Sequence, residues 1–281
     1  MVQPRAGERK HFSRAGTCGA LSEPARFLMM DAFLADQASG GRRRPRTFGG
    51  PLAILPPACV EWLTELERNN ERAWFQANHD RYERDVRAPF TELVEELIYR
   101  LRALDADISL EPRDAIFRIA RDVRFSRDKS PYKPWMAAAI GPGGRRNGHA
   151  PGYYFCVRWD GVQVGGGIYE PEPEAIPRIR QAIARDGERL VKALRGKAYR
   201  ALFGGELLGE RNKRLPPELA AAAERYPWVA NRQFYYYAEY YDPAHVTRFD
   251  LSDWLFEHFR AARGVHDFLK DAARPRPDEE D

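Results

Sequence analysis

Apolar side chains recur at helical spacing through the first part of the chain and at strand spacing through its middle. Pro57 opens a predicted helix in which Val60, Leu63 and Leu66 repeat until Asn69 and Asn70. A second helix follows from Glu71, with Trp74, Phe75, Asn78, Tyr82 and Val86 on one side, and Pro89 interrupts or restarts it. Phe90, Leu93, Val94, Leu97, Ile98, Leu101 and Leu104 then form the clearest helical stripe of the chain. Beyond it the period changes. Residues 115–122 and 136–140 read as strands, and residues 141–152 as a glycine-rich, basic loop. Residues 153–159 and 162–168 read as a hairpin turned at Asp160-Gly161. A helix near Pro173 carries Ile176, Ile179 and Ile183. After a break at Asp186-Gly187 it continues with Leu190, Val191 and Leu194, and Gly196 is its C-cap.

Residues 219–226 predict a short helix, and residues 233–241, with their run of tyrosines, a further strand. Asp250 caps a helix through Trp254, Leu255, Phe256 and Phe259, and a separate last helix carries Val265, Phe268 and Leu269. Helices, then strands, then helices with one late strand predict a single α+β domain: a mainly antiparallel sheet flanked by N- and C-terminal helices. Residues 51–273 make up that domain, residues 1–50 read as a disordered basic tail, and residues 274–281 as an acidic one.

Charge sharpens this picture. The 281-residue chain has a net charge of +4. Residues 1–50 hold nine basic and four acidic side chains, a net of +5, so residues 51–281 sum to −1. The window 113–133 holds seven basic and three acidic side chains, again +4, which leaves about −5 for the rest of the body. A local positive feature on an acidic body suits a small anion better than a duplex, which calls for a broad basic face. No apolar run approaches the roughly 18 residues of a membrane span. Cys18, Cys59 and Cys156 lie far apart, which predicts a reduced, cytoplasmic, soluble protein, and the six histidines form no metal-binding spacing.

Candidate chemistry concentrates in residues 113–135. Strand alternation would put Phe117, Ile119, Arg121 and Val123 on one face and Ile116, Arg118, Ala120, Asp122 and Arg124 on the other. Ser126, Asp128 and Ser130-Pro131 are turn formers, so Arg127, Lys129 and Lys133 would sit on a loop beside the second face. Guanidinium forks and ammonium groups at this density suit phosphate or carboxylate recognition. The same residues could instead form a structural Arg–Asp network, and Asp122 with Asp128 could support metal-assisted chemistry. Gly165-Gly166-Gly167 lacks both the P-loop and the dinucleotide spacing. Its alternatives are an anion site at the helix that follows or a tight crossing in the sheet. Tyr235, Tyr236, Tyr237, Tyr240 and Tyr241 could stack nucleic-acid bases or simply pack across strands.

Several of these residues also form an ordered series. Asn70-x-x-x-Trp74-Phe75-x-x-Asn78-x-x-x-Tyr82 is followed by Phe117-Arg118-Ile119-x-Arg121-Asp122-x-Arg124-Phe125-Ser126-x-Asp128-Lys129-Ser130-Pro131-Tyr132-Lys133. Pro151-Gly152-Tyr153-Tyr154 and Gly165-Gly166-Gly167-x-Tyr169-x-Pro171 complete it. The series resembles the family called domain of unknown function 2461 over residues 60–268; residues 1–50 lie outside the resemblance and residues 213–228 depart from it. The resemblance implies a compact single α+β domain and carries no defined catalytic residue. The candidate ligand-binding set is therefore Arg118, Arg121, Asp122, Arg124, Ser126, Asp128, Lys129, Tyr132, Lys133 and Tyr169. Its expected partner is an anionic small molecule or phosphate, with an enzymatic role and the cofactor left open. A protein- or nucleic-acid-interaction module and a purely structural Arg–Asp network are the alternatives.

Overall fold

The computed structural model describes residues 54–124 and 127–275. The tails at residues 1–50 and beyond residue 275 thus lie largely or wholly outside the described residues. Helix α1 (Pro57–Arg68) buries Cys59, Trp62, Leu63 and Leu66. The short helices α2 (Arg72–Ala77) and α3 (His79–Arg81) lead into a π-helical turn, Tyr82–Arg87, and then α4 (Ala88–Leu101). Pro89 explains the π turn: it has no N–H to give, and the Ala88 N–H reaches back five residues to Glu83 O. The chain thus passes the proline without breaking its helical course.

Four strands follow: β1 (Trp135–Ile140), β2 (Gly152–Arg158), β3 (Gly161–Ile168) and β4 (Phe234–Tyr240). They form one antiparallel sheet in the order β1-β2-β3-β4. The predicted α+β domain is what forms. Between β3 and β4 come α6 (Ala175–Leu194), α7 (Lys197–Phe203) and α8 (Pro217–Arg225), after a one-turn helix α5 (Pro112–Ala115) that precedes β1. Helix α6 is kinked at Asp186, where Gly187 lets the Tyr226 ring approach; a Cβ at Gly187 would lie 2.6 Å from that ring.

Five local expectations are corrected. Residues 115–122 are not a regular strand: after α5 the chain makes only isolated bridges, Ile116 to Ala138 and Ala120 to Tyr132. The hairpin turns at Trp159-Asp160, with Gly161 already paired to Arg158. Gly161 is needed there because β4 comes so close that a Cβ would sit 1.9 Å from Tyr240 O. The two predicted C-terminal helices are one, α9 (Leu251–Ala273), and Asp250 does not cap it through its side chain, which binds Arg248 instead. Gly196 does not end α6 in a left-handed turn but precedes α7.

All the long helices pack on one face of the sheet. Register places Met136, Ala138 and Ile140 of β1 with Tyr153, Phe155 and Val157 of β2 on that face, where they join the N-terminal helices in one core. Ile168, Phe234 and Tyr236 join α6, α7 and α8 in a second core. Helix α9 serves both: Leu251, Leu255 and Phe259 enter the first core, and Val265, Phe268 and Leu269 the second. Between them His258 donates from Nδ1 to Trp254 O (2.7 Å), so its Nε2 accepts from the Tyr240 hydroxyl (2.7 Å). Burial pushes the His258 pKa down to about 4.

The glycine triplet meets the tyrosine run residue for residue: Gly165 faces Tyr237, Gly166 faces Tyr236, and Gly167 faces Tyr235. A Cβ at Gly165 would lie 2.2 Å from Tyr236 O, and one at Gly166 would lie 2.6 Å from the Tyr236 hydroxyl. The rings and backbone of β4 occupy the space the missing side chains leave.

Two outcomes follow from this packing. Gly165→Ala is expected to destabilise the protein by roughly 1–3 kcal/mol, read as a lowered urea midpoint, because the obstructing atom is backbone. For His258, the folded pKa lies below the ordinary value near 6.5, so its stabilisation is complete above that pH and is lost as pH falls towards 4. Unfolding free energy should fall by about 1.4 kcal/mol per pH unit in that window, and His258→Gln should flatten the slope.

Candidate functional site

Residues 119–121 and 131–133 form a short antiparallel stem. The Arg121 N–H donates to Pro131 O (2.9 Å) and the Lys133 N–H to Ile119 O (2.8 Å). Asn70, at the end of α1, locks this stem to the helical layer: its Nδ2 donates to Tyr132 O (2.9 Å) and its Oδ1 accepts the Tyr132 N–H (3.0 Å). Asn70 thus acts towards Tyr132 as a strand neighbour would. The Phe75 ring stacks on Tyr132 at 4.1 Å and 14°. Three separated pieces of the sequence series, Asn70, Phe75 and Pro131-Tyr132, are therefore one physical joint.

The loop above the stem is cross-linked by its own charges. Arg124 grips Asp122 through Nε (3.0 Å) and Nη2 (2.7 Å), and its backbone N–H adds a third bond (3.2 Å). These bonds hold the Asp122 carboxyl down to about 2, with Arg118 adding a weaker attraction. Arg121 pairs with Asp128. Asp128 also accepts from the Ser130 N–H (2.9 Å) and hydroxyl (2.7 Å). Burial alone would raise the Asp128 pKa, but Ser130 and Arg121 bring it below the ordinary value. Lys129 Nζ donates to Val123 O (2.8 Å). The two aspartates that might have held a metal are each engaged by an arginine. Arg118 and Arg127 are exposed and form no ion pair among the described residues.

The ten candidate residues do not converge. Arg118, Arg121, Asp122, Arg124, Asp128 and Lys129 belong to the loop, and Ser126 lies outside the described residues. Tyr132 turns towards the helical core. Lys133 and Tyr169 go to the opposite face of the sheet, where Lys133 is buried with its ammonium 4.8 Å from the Trp135 ring. Tyr169 tilts against Tyr235 at 5.3 Å. The expected alternation also fails: Ile116 and Ile119 both pack on the N-terminal core, while Phe117 between them joins the far face.

That far face is the region the sequence did not reveal. Its rows, read across the strands, are Ala137, Cys156, Gln163 and Glu239, then Ala139, Tyr154, Gly165 and Tyr237. Small residues thus floor a surface walled by aromatic rings. Gln163 is buried and its Nε2 contacts Glu239 Oε1 (3.4 Å), while its Oε1 meets no hydrogen-bond donor among the described residues and the Tyr154 hydroxyl interacts with the Cys156 thiol. Burial pushes the Cys156 thiol up to about 12, which makes it a packing residue and not a nucleophile. A cavity of about 30 Å³ lies where the glycine loop meets this face, beside Tyr154, Tyr169 and Tyr235. It has room for a water or two, an order of magnitude less than a typical small-molecule pocket. In the tyrosine run, Tyr235 and Tyr236 are buried and Tyr241 is the most exposed, so β4 does not offer a row of free rings. The polar inward position of Gln163 in a hairpin was the one signal the sequence held for this face.

A family model described as "Conserved hypothetical protein (DUF2461)" matches residues 58–268. No curated protein and no solved structure matches the chain.

Asn70→Ala removes both bonds to the Tyr132 backbone and leaves two groups to find water. It is expected to cost about 1–3 kcal/mol and to speed amide exchange at Tyr132 and Lys133 before the core strands exchange.

Proposed function

The chain belongs to the DUF2461 family of conserved hypothetical proteins, and we propose that it binds a phosphate-bearing or other anionic ligand at the loop above the Asn70 joint. The observation that carries this reading is the division of labour among the arginines. Arg121 and Arg124 neutralise Asp128 and Asp122, and Arg118 and Arg127 stay exposed beside these braced pairs. Ordering a flexible loop around a ligand costs free energy, so a pre-braced one binds more tightly for the same contacts. Exposed guanidinium forks favour a phosphate or carboxylate over a neutral ligand. The purely structural alternative explains Arg121 and Arg124 but leaves Arg118 only a weak attraction to Asp122 and gives Arg127 no partner among the described residues.

A cytoplasmic setting fits the two buried free thiols, Cys59 and Cys156. No helix among the described residues is long and apolar enough to cross a membrane.

The test is a thermal-shift series with inorganic phosphate, sugar phosphates, nucleotides and polyphosphate. A ligand at 100 times its Kd adds about 2.7 kcal/mol, a rise of several degrees for a domain of this size. Arg118→Ala with Arg127→Ala should lower the affinity at least ~10-fold and leave the unliganded melting temperature near wild type, because neither side chain supports the fold. No stabilisation by any of these anions at low salt would sink the reading.

A further inference from the structure

The net of −5 for the body outside the 113–133 window hides a second positive run. Residues 185–200 hold six basic and two acidic side chains, a net of +4, so what remains sums to about −9. The fold gathers these cations along one helix and its corner. Ile183, Leu190 and Leu194 of α6 are buried in the second core, while Arg185, Arg189 and Lys192 recur at spacings of four and three and are exposed. Arg195 ends that helix and Lys197 opens α7. Arg200 returns beside the last turn of α6: a Cβ at Gly205 would lie 3.1 Å from Arg200 Cγ and 3.3 Å from Leu194 O. Arg189 pairs with Asp271 (2.6 Å), and the other five form no ion pair among the described residues. Glu188 is drawn away by Arg225 (2.6 Å) and the Tyr226 hydroxyl (3.1 Å), which leaves Arg195 only a weaker attraction to it.

We propose that this ridge binds the phosphate backbone of duplex nucleic acid. The helix dipole accounts for Lys192 and Arg195 at the C-terminus of α6, but the same effect opposes Lys197 in the first turn of α7. Crowding five unpaired cations also costs stability through mutual repulsion, a cost that a polyanion removes by neutralising them together. Arg185 to Arg195 covers about 15 Å of helix, a length over which a duplex carries about nine phosphate charges. Tyr199 and Phe203, the only aromatic residues of 185–203, are buried, so this surface offers no ring on which unpaired bases could stack. The same residues expose no large apolar side chain of the kind that seats a helix in a lipid surface. A double helix read through its backbone, without regard to sequence, is the partner that fits. The inference does not rest on the anion-binding reading of the loop.

Fluorescence anisotropy of the full chain with a short mixed-sequence DNA duplex, titrated at several salt concentrations, tests it. Five neutralised phosphates set a slope of log K against log salt of about −4.5. Lys192→Ala with Arg195→Ala and Lys197→Ala should make the slope shallower by about 2.7 and leave the melting temperature near wild type. Arg118→Ala with Arg127→Ala should leave the slope unchanged, which separates this surface from the loop. No binding to the duplex at low salt, or an unchanged slope in the triple variant, overturns the proposal. So does tighter binding of a single strand, of phosphatidylserine vesicles or of polyglutamate at equal charge. Should the triple variant melt early, Lys192→Gln with Lys197→Gln decides: a slope shallower by about 1.8 supports the proposal, and the wild-type slope refutes it.

Discussion

The pairing of Gly165-Gly166-Gly167 with Tyr235-Tyr236-Tyr237 fixes the geometry on which the rest of the molecule depends. Strand β3 is central, and it can carry three glycines because β4 covers them with rings and with its own backbone. The close approach sets the register. The register in turn decides which side chains meet the helices and which meet the far face. A slip of one residue would exchange the two. Tyr236 would leave the helical core, and Tyr235 and Tyr237 would enter it.

The basic loop hangs from this sheet by a second constraint. Two hydrogen bonds and one ring stack from the helical layer hold Tyr132, and Tyr132 is the last residue before the chain turns Lys133 to the opposite side. Both aspartates of the loop are therefore matched by arginines, and its surplus positive charge lies on the exposed Arg118, Arg127 and Lys129. Long-range attraction of an anion and short-range rigidity come from the same small set of residues.

The parts of this arrangement that rest on local periodicity were legible in the sequence. The stripe from Phe90 to Leu101 and the β2–β3 hairpin are set by neighbours in the chain, and both formed close to where they were expected. The extended segment after α5 was misread because its ends obey strand spacing while Ile116 and Ile119 turn to the same core. The fate of Lys133 and Tyr169 was not legible either, since it depends on which face each strand presents after pairing. Asn70 was visible as one term of a series, but its role needs Tyr132, 62 residues away, and no local pattern encodes that contact.

Helix α9 closes both helical cores, although one is built mainly from residues before β4 and the other from residues on either side of it. During synthesis the four strands therefore leave the ribosome before the helix that seals both cores. Until residues 251–273 clear the ribosome, Tyr153, Phe155 and Tyr236 line a layer with its last covering element missing. The nascent protein is then a ready client for a chaperone, and a stalled or truncated product ending before Leu251 would carry two unfinished cores at once.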